Sequence, residues 1–161
     1  MNPGGIGADI SFNANGIDKN GEFTFGEALG TRPFGNSLVT MTLTGAQIDA
    51  VLEQQFGNPE PGRDRILQVS AGFAYSWSAA APVSERVDAS TITINGEPIS
   101  ADATYRVTVN SFLADGGDNF SVLRSGTDRL GDEVDLDALV IYFGENSPIA
   151  PGPQNRITRT G

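Results

Sequence analysis

The stretch Leu38-Val39-Thr40-Met41-Thr42-Leu43-Thr44-Gly45-Ala46-Gln47-Ile48-Asp49-Ala50-Val51-Leu52-Glu53-Gln54-Gln55-Phe56-Gly57 changes its apolar period midway. Over residues 38–43 the apolar residues alternate, putting Val39, Met41 and Leu43 on one face, as a half-buried strand requires. Over residues 45–56 the spacing becomes helical, and Ile48, Val51, Leu52 and Phe56 share one stripe. Thr44 has the chemistry of an N-cap, with Gln47 three residues on to complete a capping box. Gly57 stands where a left-handed residue commonly ends a helix. A strand face and a helix stripe in direct succession must each be covered by further layers, and the flanking sequence offers them.

On the N-terminal side, residues 2–12 join a Gly-rich turn to a short apolar stretch, and residues 13–22 form a loop rich in Asn, Asp and Gly. Thr24-Phe25-Gly26-Glu27 has capping-box spacing and predicts a short helix ending near Gly30. On the C-terminal side, the loop at residues 58–64 holds Pro59 and Pro61 and is expected to be exposed. Residues 66–77 read as a strand with Phe73, Tyr75 and Trp77 on one face. Residues 91–94, the Asn95-Gly96 turn and Pro98-Ile99 read as a hairpin. Residues 105–109 alternate cleanly and predict a central strand. A last helix is expected over residues 136–143, capped by Asp135, stopped by Gly144 and burying Leu136, Leu139, Val140 and Phe143. The sum is an α+β fold, a mixed β-sheet with packed helices. Residues 1–161 form one domain, in which residues 146–161 are a Pro-rich surface tail.

Composition removes several kinds of chemistry. The chain has 161 residues, 39% of them hydrophobic, enough for one buried core. No apolar run approaches the ~20 residues that span a bilayer. A net charge of −10 disfavours nucleic acid as a partner. Without cysteine there is no thiol nucleophile, no Cys-rich zinc site and no disulfide. Without histidine the commonest general base and the commonest transition-metal ligand are missing.

Three segments depart from the core pattern: Asn2-Pro3-Gly4-Gly5-Ile6, Arg32-Pro33-Phe34-Gly35-Asn36, and Asn110-Ser111-Phe112-Leu113-Ala114-Asp115-Gly116-Gly117-Asp118. Each adjoins an expected element, where a rigid scaffold can hold a binding loop. Two aromatic faces such as Phe34 and Phe112 can sandwich a flat ring, and stacking on a base contributes about 1–3 kcal/mol. Asn2 or Asn36 can present a donor and an acceptor to a base edge. The Asp118 carboxylate can accept from vicinal sugar hydroxyls, and the pairs Gly4-Gly5 and Gly116-Gly117 let backbone approach a ligand closely. The plainer alternative makes the two rings core plugs beneath their loops and the glycines ordinary turn residues.

Read in order, these segments, with Leu43-Thr44-Gly45, Leu67-Gln68-Val69-Ser70, Tyr105-Arg106-Val107 and the run from Asn110 to Phe120, closely resemble the C-terminal domain of the 5′-nucleotidase family. The resemblance runs from Asn2 to about Arg156, and Phe112-Leu113-Ala114-Asp115-Gly116-Gly117-Asp118 is its most specific part. It implies an extracytoplasmic phosphoesterase of two domains. The N-terminal one would be a metallophosphoesterase domain holding two divalent metal ions, expected upstream and outside this sequence; Met1 leading straight into Asn2-Pro3-Gly4-Gly5 agrees with a chain that continues upstream. The C-terminal domain would bind the substrate without catalytic residues or metal ligands of its own. Substrates would be nucleoside 5′-phosphates, UDP-sugars or cyclic nucleotides. Phe34 and Phe112 match the family's base clamp, Asn2 and Asn36 its polar contacts to the base or nearby groups, and Asp118 its ribose-binding carboxylate.

One departure stands out. The family usually reads Asn-x-Gly-Gly-Ile-Arg, with the arginine on the substrate phosphate, whereas this chain has Gly7 there. Arg32 is the candidate substitute, against the expectation that an arginine so placed is a surface charge. Three rivals remain. Residues 16–27 match an EF-hand calcium loop at several positions, but Gly16 occupies the first ligand position and no helix precedes it. A cell-surface structural module could carry the pocket as a vestige. A self-sufficient hydrolase would need Asp115 and Asp118 as a carboxylate pair, yet nothing supplies a nucleophile.

Overall fold

The computed structural model describes every residue except 15, 17 and 58–61, so part of the proline loop lies outside the described residues, while residues 62–64 are exposed as expected. The strand-to-helix stretch folds as its periods dictate. Strand β1 (Ser37–Thr44) buries Met41 and Leu43 and runs directly into helix α2 (Gly45–Gln54). The Thr44 hydroxyl accepts from the Gln47 amide at 3.2 Å and Gln47 Oε1 accepts from the Thr44 amide at 2.8 Å, closing the capping box. Ile48, Val51 and Leu52 form the buried stripe, continued by Phe56 in a 3₁₀ turn, Gln55–Gly57. That tightening replaces the left-handed end expected at Gly57, because the terminal carbonyls are used by the tighter turn. Before β1, the Thr24–Glu27 capping box starts α1 (Phe25–Thr31).

Two sheets stand where one was expected, and the class is α+β. In the first, β1 lies between β5 (Thr104–Asn110) and β6 (Thr127–Val134), all antiparallel. The strand over Tyr105 to Val109 is therefore an edge rather than the centre. Alternation reports a covered face, and Tyr105, Val107 and Val109 do pack on the core, but it does not report how many neighbours pair with the strand. The second sheet has the order β4-β3-β2-β7, where β2 is Phe73–Ser78, β3 Val87–Ile94, β4 Glu97–Pro98 and β7 Ile157–Thr160. It is mixed, since β7 runs parallel to β2. The hairpin turns at Asn95-Gly96, both with positive φ, as Asn-Gly predicts.

Three expectations are corrected. The strand read over residues 66–77 begins only at Phe73, because Gly72 at φ 84° turns the chain first. The tail is not wholly a surface extension: β7 adds to β2, and the Arg159 guanidinium lies 5.4 Å from the centre of the Trp77 ring. The last helix, α4 (Asp135–Asn146), takes Val134 as its N-cap with no side-chain cap bond, and continues through Gly144. Its stripe is only half covered: Leu136, Leu139 and Phe143 are partly buried, the last stacked on Phe23 at 4.0 Å, while Val140, Ile141 and Tyr142 are exposed.

The core joins both sheets through α2. Met41 and Leu43 meet Ile48, Val51 and Leu52, and Phe56 lies 4.9 Å from Trp77 of the second sheet. Inside it, Gln55 bonds the Tyr75 hydroxyl and accepts from the Leu67 amide at 2.9 Å. Burial pushes the Tyr75 phenol up to about 12, opposed by the Gln55 bond. The loops after α1 and after β5 emerge from this scaffold.

Candidate functional site

The N-terminal turn is the piece around which the site is built. Residues Pro3–Gly5 make one 3₁₀ turn, and Met1 exchanges two backbone bonds with Gln68, at 2.7 and 2.8 Å. The turn therefore sits against the segment leading to β2. Asn2 is 2% exposed, and its Nδ2 donates to Asp118 Oδ2 at 2.9 Å. Its Oδ1 is buried without a hydrogen-bond partner. Residues at opposite ends of the matched motifs thus meet directly.

Asp118 is presented by the loop after α3 (Ser111–Ala114). Asn110 caps that helix, its side chain accepting from the Leu113 amide at 2.9 Å. Leu113 and Ala114 are buried and fix the helix from below, which leaves Phe112 on the outside. Gly116 adopts φ 82°, a conformation open to glycine, and Asp118 follows at φ 50°, ψ 34°. A non-glycine residue there costs about 1–2 kcal/mol, less for Asp than for most. A side chain on Gly117 would strike the Phe112 ring, and one on Gly5 would come within 2.8 Å of Asn2 Oδ1. Gly4 is closed in by the Arg65 guanidinium. At these four glycines the constraint is close approach and, at Gly116, also a positive φ.

Phe34 and Asn36 stand on the loop between α1 and β1. That loop is tied to the same turn: the Gly7 amide donates to Thr31 O at 3.0 Å, and Arg32 Nη1 donates to Gly5 O at 3.3 Å. Asn36 is half-buried, and its carbonyl accepts from the Asp135 amide at 2.8 Å. Phe34 is 61% exposed and Phe112 45%, so neither is a core plug. Among the described residues, neither ring stacks on another aromatic side chain.

Arg32 corrects both expectations held for it. It is 9% exposed, so it is not a surface charge, and it faces Asp135 at 3.8 Å, so it is not free for a phosphate. Burial holds its guanidinium below the usual arginine range, with Asp135 opposing. Burial likewise raises the Asp135 carboxyl, opposed by Arg32 and by backbone amides at the start of α4. Position 7 is equally closed. A side chain there would run into the Gly30 carbonyl and the Pro33 ring, which accounts for glycine where the related motif carries arginine.

The residue that sequence reasoning missed is Arg65. Its Nη1 donates to Asp118 Oδ2 at 2.6 Å, and a third of its side chain is exposed. No pattern around Arg65 could have flagged it, because the partner lies 53 positions away. Asp115 is separately engaged, accepting from Arg129 at 2.8 Å, so Asp115 and Asp118 do not form a carboxylate pair. Among the described residues, no group of three or more acidic side chains could hold a metal ion. In the calcium-like loop, Glu27 completes the α1 capping box and Asn20 Oδ1 accepts from the Ala14 amide at 2.9 Å, so local bonds occupy those positions.

The sequence profile described as "5'-nucleotidase, C-terminal domain" matches residues 1–125. The chain belongs to that family. It is 42% identical over 124 residues to the trifunctional nucleotide phosphoesterase protein YfkN of Bacillus subtilis, covering 75% of this chain and 8% of that protein. It is 32% identical over 144 residues to a cell wall protein of Listeria monocytogenes, covering 88% and 18%. The crystal structure of the 5'-nucleotidase precursor from Thermus thermophilus superposes with a TM-score of 0.82 at 35% identity, over 98% of this chain and 30% of that one. The chain thus spans less than a third of each of these proteins. Among the described residues, no helix is long and apolar enough to cross a membrane.

Proposed function

We propose that this chain is the nucleoside-recognition domain of a phosphoester hydrolase of the 5′-nucleotidase type. The observation that carries it is the turn at residues 2–7, which binds Asp118 on one side and the Phe34 loop on the other. Phe34 and Phe112 are both exposed, and in this reading the flat base stacks on them. Among the described residues, both donors to Asp118 use Oδ2, which leaves Oδ1 to accept from sugar hydroxyls. In this reading Asn36 and Asn2 serve the base edge or adjoining atoms.

Hydrolysis would belong to a metallophosphoesterase domain of the same protein, with two divalent metal ions of its own. The absence of histidine and of converging carboxylates among the described residues supports that division of labour. Nucleoside 5′-phosphates are the first substrates to examine, followed by UDP-sugars and cyclic nucleotides. Similarity to a cell wall protein supports an extracytoplasmic location.

Titration of the 161-residue chain with adenosine tests the reading, using calorimetry to detect binding at millimolar ligand. Phe112→Ala is expected to weaken binding by about 1–3 kcal/mol while the thermal transition stays in place. No binding by the wild type, or collapse of the fold in the variant, would sink the proposal.

A further inference from the structure

The family's usual phosphate arginine has no counterpart at Gly7, and Arg32 is committed to Asp135. Arg65 offers what both positions lack. Its backbone amide donates to Gln55 O at 2.8 Å, which fixes the base of the side chain to the end of α2. Its tip lies over the N-terminal turn, with Nη1 2.6 Å from where a Gly4 Cβ would stand. The same nitrogen holds Asp118 Oδ2 at 2.6 Å. Among the described residues, the contacts of this guanidinium run through Nη1 and the Nε–Nη2 edge has no partner. That edge is the half of the fork that binds two oxygens of a phosphate at once. Anchoring on Asp118 also removes much of the rotamer entropy that a free surface arginine would lose on binding.

We infer that Arg65 is a specificity-determining residue, which recognises an anionic group on the sugar of the bound nucleoside and so favours nucleotides over nucleosides. The inference rests on the nucleoside-pocket reading. It assigns the phosphate contact to the segment entering β2 rather than to the N-terminal turn. Asp118 is then shared between two tasks: Oδ2 orients the arginine, and Oδ1 remains for the sugar.

The experiment compares adenosine with adenosine 5′-monophosphate on the metal-free 161-residue chain, at one fixed salt concentration. The wild type is expected to bind the monophosphate about tenfold tighter. Arg65→Gln should bring the two ligands within about twofold of each other, whatever happens to adenosine itself, because the ratio cancels any loss of Asp118 positioning. Arg65→Lys should keep an intermediate preference, having charge without the fork. Arg124→Gln, at an exposed arginine whose side chain lies along Gly116, should keep the full ratio. Equal affinities in the wild type overturn the inference while leaving the nucleoside pocket standing, as does a ratio that survives Arg65→Gln or collapses in Arg124→Gln. Failure of both ligands to bind removes the pocket and the inference together. Should Arg65→Gln not fold, the wild-type ratio and the lysine variant still decide.

Discussion

Two arginine–aspartate pairs flank the same N-terminal turn, and they differ in burial, length and what they leave free. Arg32 and Asp135 are 10% and 7% exposed at their side chains and 3.8 Å apart. Arg65 and Asp118 are 33% and 16% exposed and 2.6 Å apart. The first pair sits where the Phe34 loop, Gly5 and the start of α4 converge, so its charges are spent on holding three segments together. The second opens to solvent, with a guanidinium edge and a carboxylate oxygen that no described residue uses. A charged pair can therefore be a fastening or a binding surface, and solvent access together with the remaining hydrogen-bond capacity tells which.

Arg32→Ala should produce the largest effect. It strands Asp135 without a counter-charge and removes the bond to Gly5 O, costing about 3 kcal/mol. Arg65→Ala should stay within about 1 kcal/mol, because a partly solvated pair contributes little to stability. Urea denaturation of both variants checks the contrast; equal losses would erase the distinction between the two corners. Next comes Gly7→Ala. A Cβ at that position meets a backbone carbonyl and a proline ring, neither of which yields cheaply, and the expected cost is about 1–3 kcal/mol. A variant as stable as the wild type would show that position 7 can open, and would return it as a site for the missing arginine.

The smallest effect concerns pH. Folding raises the Asp135 carboxyl, chiefly by burial, so the folded state favours the protonated form. Its stabilising contribution is complete below the ordinary carboxylate range near 4 and is lost as pH rises through the raised value. Wild-type stability should fall across that window relative to Asp135→Asn, which cannot titrate. A wild-type profile that instead rises relative to the variant would mean that the Arg32 charge outweighs burial, making this corner an ordinary ion pair.

Local signals carried much of this fold. Both capping boxes, the Asn95-Gly96 turn and the β1 face depend on atoms a few residues apart, so residue type and spacing reveal them. Misreadings arose where long-range neighbours decide. Tyr105 to Val109 alternates whether it lies at a centre or an edge. Residues 157–160 hold too little apolar pattern to announce a strand, and they become one because β2 offers an open edge. In α4, helical spacing put Val140 on the covered stripe, but the helix packs on α1, β6 and Phe23 in a way that leaves Val140 exposed.

The candidate site divides the same way. Phe34, Asn36, Phe112, Asp118 and Asn2 were legible as motif positions, and the rings of Phe34 on its loop and Phe112 on α3 are exposed. The contact between Asn2 and Asp118 was not legible, since they lie 116 positions apart, and Arg65 belongs to no motif. What the sequence alone determined is the set of chemical groups and the short-range turns that aim them. These follow from covalent neighbours, capping hydrogen bonds and glycine conformations that act within a few residues. Which arginine is buried as a fastening and which stays open to solvent was settled only when the sheets and α2 closed around a common core. Burial and charge pairing depend on the distances between remote segments, and those distances exist only in the folded chain.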